Sequence, residues 1–433
     1  MRIPKRAAII GVASLVVVSM LTAAFAVYTH SAHAASPTPQ VIDDATLKAS
    51  DASIGGATVL PTTRTVAHWF GTTTDPNNGV TYGYNMVGAD PNNCSGSACS
   101  TTIEADITPI NVVVGGMTFS GSAVVAPTLA SPQFTNLDYT TTPFATDATG
   151  NKGSGGTLSA GNSGVQLQDA TMRAQFNKTG SSSYHVILHP NVMPAVTIVV
   201  PQNQGTLLQS RRGVIFGDVD VGWWSSQINN LENSADPTHL PIYLTNSVML
   251  YDGNNPLNCC IIGYHGTSPT GVGAGSGNSN GNAVVQTFAW ASYVQPGIFN
   301  PQLDWALQDI HALSHEIAEW GDDPFVNNTV EPWLTPTAPQ YGCTGILETG
   351  DPVVGIGFAL GTNTYQQGPN PNGTQSADGY YHPEDEVYLP WFMRTAPNTV
   401  SQPTQSTSAN IGRYTLMGDL NPFPGFRQPA TGC

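Results

Sequence analysis

The residues best suited to chemistry lie in one short segment around His315. His315 and Glu319 are four residues apart, so on a helix they lie one turn apart on the same face and can hold one metal ion. Glu316 follows the first of them, where its carboxylate could take a proton from a metal-activated water. His311 also lies one turn from His315, but about 12 Å along the helix from Glu319, too far for all three to share one ion. The ligand pair is therefore His315 with Glu319 or His311 with His315, and the first pair keeps Glu316 beside the ion.

The charge pattern around this segment favours a bound cation. No Lys or Arg occurs between Arg212 and Arg394, while the same 181 residues contain 18 carboxylates. Glu319, Asp322 and Asp323 crowd the C-terminal end of the predicted helix, where the helix dipole already presents negative charge. A divalent cation would offset this charge. The alternative is a solvated polar face in a chain adapted to acid, where few ion pairs are lost when carboxylates become protonated.

The motif Ser-His-Glu-Ile-Ala-Glu at 314–319 resembles the zincin metallopeptidase motif His-Glu-x-x-His, with Glu319 in place of the second histidine. Together with the later Asp-Pro and Glu-x-Gly-Asp motifs, it looks like a group of secreted zincin-like proteins, and its core is similar to the plant EXORDIUM (phosphate-induced) proteins. The resemblance covers about 40 residues, from His311 to Asp351. It implies zinc ligation by His315, a general-base role for Glu316 and a third ligand at Glu348 or Asp351. Because a carboxylate replaces one histidine, calcium or manganese is also possible.

Three further segments have open interpretations. His382 precedes three acidic residues at 384–386 and is a second candidate for the third ligand, although such a cluster is more often a surface loop. Asp351 precedes a proline and is equally consistent with a turn. His265 lies between glycines and could line a cleft, but a packed or exposed histidine is the simpler interpretation.

The element that must position the motif is an amphipathic helix. Asn300 is predicted as its N-cap, Pro301 follows, and Gly321 comes after the last turn. One stripe at spacings of three and four residues would pack on a core: Leu303, Leu307, Ile310, Ser314 and Ile317. Apolar patterns predict strands at Ile110–Val114, Met117–Val125, Tyr184–Leu188, Ala195–Val200, Val214–Val219 and Leu240–Leu250. The last of these could align a peptide substrate along a sheet edge.

The predicted fold class is α+β, with an active-site helix on a small mixed sheet in a zincin-like catalytic region that follows a β-rich region. Residues 206–433 are expected to form the metal-binding region, 63–205 the β-rich region and 35–62 a flexible lead-in or pro-segment. Residues 1–34 read as a signal peptide, with early basic residues, an apolar run at 7–28 and a small-residue cleavage site at 32–34. An uncleaved membrane anchor is the alternative.

Charge and cysteine content narrow the class of protein. The net charge of −16 argues against a nucleic-acid partner, which requires clustered Lys and Arg. No stretch after the leader is apolar enough to span a membrane, so we expect a secreted protein. In an oxidising compartment the six cysteines predict three disulfides, of which proximity indicates only Cys94–Cys99.

These patterns favour a secreted metal-dependent hydrolase, a zincin-like peptidase that acts on polypeptides. The alternative is a non-catalytic secreted protein that binds cell-surface material and holds a structural ion. A third possibility is a glycan-binding protein that uses Trp and Tyr residues of the β-rich region. An open, water-bearing metal position would favour the hydrolase, whereas a site closed by four or more protein ligands would favour the binding protein.

Overall fold

Strands account for most of the regular structure, which forms a mixed α+β fold. The computed structural model describes residues 38–57, 59, 63–137, 145–146, 164–178, 183–268, 284–300, 306–334, 342–365, 379–396, 414–416, 430 and 432–433. Within these residues, twelve strands form one mixed sheet and six others form three two-stranded sheets. The predicted signal peptide lies outside the described residues.

The strands are β1 (Gln40–Val41), β2 (Ser50–Ile54), β3 (His68–Thr74), β4 (Thr81–Val87), β5 (Ser100–Val114), β6 (Met117–Ser120), β7 (Ala145–Thr146), β8 (His185–Val192), β9 (Val196–Val199), β10 (Gly205–Gln209), β11 (Ile215–Asp220), β12 (Leu240–Asn246), β13 (Val248–Tyr251), β14 (Cys259–Thr267), β15 (Thr287–Tyr293), β16 (Thr329–Leu334), β17 (Cys343–Ile346) and β18 (Phe358–Ala359). The α-helices are α1 (Val125–Leu129), α2 (Leu167–Gln175), α3 (Val221–Glu232), α4 (His311–Asp322) and α5 (Leu389–Phe392). Short 3₁₀ helices occur at Gly96–Cys99, Gly121–Val124 and Asp351–Val353.

The main sheet is large, so the expectation of a small sheet beneath the helix is wrong. Its order is β1-β10-β11-β13-β14-β15-β12-β5-β6, with β2 beside β14 and with β8 and β9 beside β5. Strands from the 63–205 and 206–433 ranges lie side by side, since Leu240 of β12 pairs with Ala105 of β5. The sheet therefore joins the two ranges, and the motif helix packs near its middle, on β14 and β15.

Strands β12 and β13 cover the predicted strand Leu240–Leu250, but neither offers a free edge. β12 lies between β15 and β5, and β13 lies between β11 and β14. The proposed alignment of a peptide along this strand is therefore wrong, because neighbouring strands already occupy its backbone hydrogen-bonding groups.

The segment 35–62, expected to be a flexible lead-in or pro-segment, contributes two strands to the main sheet. β1 pairs with β10, and β2 runs parallel to β14 with Ser53 opposite His265. Arg212 forms a two-pronged ion pair with Asp44, at 2.8 and 3.0 Å. These contacts hold residues 40–54 against the strands that lead to the candidate site.

Helix α4 begins at His311 rather than after Asn300. Asp309 has a left-handed backbone (φ 46°), and its Oδ1 accepts hydrogen bonds from the N–H groups of Ile310 (2.6 Å) and His382 (2.9 Å). The chain therefore turns just before the helix. All twelve helix residues are buried, so the polar side of α4 is not a solvated face.

A tight hairpin and three disulfides shape the fold locally. Gly115 and Gly116 adopt positive φ angles (55° and 82°) in the hairpin between β5 and β6. The predicted Cys94–Cys99 disulfide is confirmed, and the other cysteines pair as Cys259–Cys260 and Cys343–Cys433. None of the helices in the described part of the chain has the length and apolar character that a membrane crossing requires.

Candidate metal centre

Helix α4 and the turn after β17 bring three of the predicted ligands together. One donor atom each from His315, Glu319 and Asp351 lies within 4.8 Å of the others. His315 Nε2 is 3.1 Å from Glu319 Oε2, as the spacing of one helical turn predicts. His315 is fully buried, Glu319 is 1% exposed, and Asp351 is partly exposed. The group therefore lies beneath the surface, with Asp351 on its outer side.

The second oxygen of Glu319 is fixed by backbone amides. Its Oε1 accepts hydrogen bonds from the N–H groups of Gly350 (3.1 Å) and Asp351 (3.2 Å), at the start of the 3₁₀ turn. These bonds connect α4 to the Glu-x-Gly-Asp motif. They leave Oε2 as the oxygen that faces His315.

A second donor group contains a histidine that the sequence did not favour as a ligand. His265 Nδ1 lies 3.4 Å from both Glu316 Oε2 and Glu319 Oε2, and its Nε2 lies 3.9 Å from Glu348 Oε2. These three carboxylates surround one fully buried imidazole. The available signal was the Gly-Tyr-His-Gly pattern, because glycines flanking a strand histidine indicate close approach of another element.

Glycine is required opposite Glu316. A Cβ atom on Gly263, two residues before His265 on β14, would lie 2.5 Å from Glu316 Oε1. Tyr264, between them, instead packs with Trp290 on the other face of the sheet. Gly263 and His265 therefore face α4 together, one providing space and the other an imidazole.

Glu384 fixes the orientation of His315. Its Oε2 lies 3.0 Å from His315 Nδ1 and 2.8 Å from His311 Nε2. Its backbone N–H donates to Ser314 Oγ (2.9 Å), which connects it to the same helix. With Nδ1 held by a carboxylate, Nε2 of His315 points to Glu319, an arrangement that commonly supports metal-bound histidines.

The remaining candidates lie outside the group of His315, Glu319 and Asp351. His311 Nε2 contacts Glu384, and of the two pairs left open by the sequence the structure places His315 and Glu319 in one donor group. His382 Nδ1 lies 2.7 Å from Asp309 Oδ2, where it holds the turn before α4. Glu348 approaches His265 rather than His315.

Burial and negative charge shift the protonation of the surrounding acids. Burial, together with the charge of Glu319, raises the pKa of Glu348 well above its usual value. Burial also raises the pKa of Asp322 and of Asp323 to about 7. For Glu319 burial acts in the same direction, but the combined interactions with His315 and His265 outweigh it and lower the pKa. Within the described residues, every ion pair at the site has a histidine as its cation.

The donors fit a divalent metal ion. Buried polar groups normally form hydrogen bonds, yet neither ring nitrogen of His265 has such a partner in the described structure. Imidazole and carboxylate donors together suit zinc and manganese, whereas calcium prefers oxygen ligands alone. Comparison with protein-family models, with curated proteins and with solved structures finds no match for this chain. The assignment therefore depends on the residues and their geometry.

A cleft lies elsewhere on the sheet. It has a volume of about 350 Å³, and its lining includes Asp106, His239 and Tyr243. His239 Nδ1 lies 2.8 Å from Asp106 Oδ2 within it. Tyr243 packs in the core beneath α3, on the face opposite α4, so this cleft is separate from the candidate metal centre.

Substitution of Gly350 by Ala is expected to weaken metal binding at least tenfold. The added Cβ would lie 2.6 Å from Cε1 of His315 and closer still to Nδ1, which would displace the ring from Glu384. Gly350 has an ordinary helical backbone (φ −84°, ψ −37°), so the alanine backbone itself is unstrained. Competition with a chromophoric chelator measures the affinity.

Gly345→Ala is the matched control for this substitution. Its Cβ would meet Val330 O and Pro332 Cγ at ordinary contact distances of 3.5 and 3.7 Å. Equal affinities in the Gly350 and Gly345 variants would show that the position of the His315 ring does not matter to the ion.

Proposed function

We propose that this protein is a secreted metal-dependent hydrolase, a zincin-like peptidase whose ion is held by His315, Glu319 and Asp351. The observation that carries the proposal is the position of Glu316. Its Oε2 and Glu319 Oε2 both lie 3.4 Å from His265 Nδ1, and donor atoms of Glu316 and Glu319 lie within 4.8 Å of each other, so a carboxylate outside the His315 group lies next to one of the ligands. A general base for water attack must be in that position.

The roles of the residues follow from this arrangement. A bound ion would polarise the scissile carbonyl and lower the pKa of its bound water, so that the water could be deprotonated near neutral pH. Glu316 takes a proton from the attacking water as the water oxygen bonds to the carbonyl carbon. Glu316 then returns the proton to the leaving amine as the C–N bond breaks. His315 and Glu319 hold the ion, and Glu384 keeps the His315 ring in the required orientation.

The metal requirement is tested on the purified full chain. We expect about one divalent ion per chain, with zinc, manganese and calcium measured together by elemental analysis. His315→Ala is expected to lose the ion, because the substitution removes the imidazole nearest to Glu319 Oε2, at 3.1 Å. His189→Ala, which alters a histidine with 61% side-chain exposure on β8, is the control and should retain it. A native protein that carries no ion and takes up none on addition would refute the proposal.

Burial favours a second candidate function, a secreted binding protein with a structural ion. His265, His315 and Glu316 are fully buried, and the cleft lined by His239 and Tyr243 lies on the other face of the sheet. Under this alternative, Glu316 supports the fold and a ligand occupies the cleft near His239. A metal-loaded protein that cleaves no member of a diverse peptide library would favour this function over hydrolysis.

A further inference from the structure

We infer that His265, on strand β14, is a ligand of the same metal ion as His315 and Glu319. The inference rests on the proposed metal centre and adds a ligand from a strand about 50 residues upstream of the helix. It makes the centre a two-histidine site. Its chemical consequence is a preference for zinc over calcium, because calcium prefers oxygen donors alone.

The distances from Glu319 match those between ligands of one ion. Bond lengths of about 2.0–2.1 Å in a tetrahedral zinc site place neighbouring ligand atoms about 3.3 Å apart. Glu319 Oε2 lies 3.1 Å from His315 Nε2 and 3.4 Å from His265 Nδ1. One carboxylate oxygen is thus approached by two imidazoles at coordination spacing. The two histidines belong to different donor groups that share Glu319, so a shared ion would draw both rings toward this oxygen.

The contacts of His265 with its carboxylate neighbours, at 3.4 to 3.9 Å, are longer than ordinary hydrogen bonds. The ring is fully buried, and neither nitrogen forms a hydrogen bond with suitable geometry in the described part of the protein. Its polar neighbours among these residues are the carboxylates of Glu316, Glu319 and Glu348. A buried imidazole costs free energy unless its nitrogens are satisfied. A shared cation would satisfy Nδ1 and offset the charge of the three acids.

The sheet is built to hold this one imidazole beneath the helix. His265 pairs with Ala289 on β15 and with Ser53 on β2, so strands fix its backbone on both sides. Gly263 and Ala291 form the next pair facing α4. Small side chains therefore let the helix approach, and His265 is the large polar group among them.

The experiment measures zinc affinity by competition with a chromophoric chelator. Wild type should bind one zinc per chain, and His265→Ala should bind at least about 100-fold more weakly, since even loss of a residue that only supports a ligand costs 10- to 100-fold. His265→Gln keeps a polar group of similar size and should show the same loss of affinity. It replaces the alanine variant in the experiment if that variant fails to fold. His239→Ala is the control, since it removes a partly buried histidine from the opposite face.

Failure of the inference is distinct from failure of the proposed function. If His265 variants bind zinc as tightly as wild type while His315→Ala does not, His265 is not a ligand and the hydrolase proposal is unaffected. If wild type binds two zinc ions and His265→Ala loses only one, the shared ion is refuted. Absence of binding in wild type would refute the metal centre itself.

Discussion

Glu316→Gln is expected to lower the rate of peptide hydrolysis by about 10²- to 10⁴-fold, the usual contribution of general acid–base catalysis. Glutamine has nearly the same shape, but its amide cannot accept a proton from water. The residue is fully buried beside Gly263, where there is room for the side chain but not for a bulkier one. Mass spectrometry of a diverse peptide library after incubation measures cleavage, and elemental analysis measures the metal.

The variant should retain its ion, because His315, Glu319 and Asp351 remain. Glu104→Gln, which alters a 40%-exposed carboxylate on β5, should hydrolyse peptides at the wild-type rate. Unchanged turnover in Glu316→Gln would rule out the mechanism. Loss of both metal and activity would instead make Glu316 a ligand.

The helical part of the site was predictable because its information is local. The spacing of His315 and Glu319 determines that they share a face on any helix, and the resemblance of the downstream Glu-x-Gly-Asp motif implied a third ligand at Glu348 or Asp351. The structure brings these three residues together. The start of the helix was not predictable in this way, because Asp309 turns the chain with hydrogen bonds to a segment more than 70 residues later.

The contribution of the sheet could not be derived from local patterns. His265 reaches the centre only because β14 lies beneath α4, and that placement depends on parallel pairings such as β2 with β14 and β5 with β12. Such pairings join segments more than 100 residues apart and leave no periodic signal between them. The same applies to Glu384, which belongs to an acidic cluster that resembled a surface loop but is fully buried and contacts His315.

The negative charge around the centre couples metal binding to stability. Asp322 and Asp323 lie at the C-terminal end of α4, just after Glu319. Burial raises the pKa of each aspartate to about 7. Hydrogen bonds from Gln175 (2.6 Å) and from the N–H groups of Asn327 and Asn328 (3.0 Å each) hold these acids in place. Without a cation, Asp322 and Asp323 are therefore protonated in the folded protein at pH values between about 3.8 and 7. In the unfolded chain both aspartates have ordinary pKa values and are ionised in this range.

Removal of the ion with a chelator is expected to destabilise the protein strongly at pH 8 and much less at pH 5. A saturating ion at 1,000 times its dissociation constant contributes about 4 kcal/mol to folding. In the metal-free protein, each aspartate with a raised pKa stabilises the fold fully below about pH 3.8, and this contribution is lost as the pH rises through about 7. In the loaded protein the ion offsets the same charge, while acid weakens metal binding by protonating the ligands. The two stabilities, measured by thermal unfolding, should therefore converge as the pH falls.

Asp322→Asn should flatten the pH dependence of the stability of the metal-free form. Parallel curves for the loaded and metal-free protein across this range would show that the ion and the buried acids are not coupled.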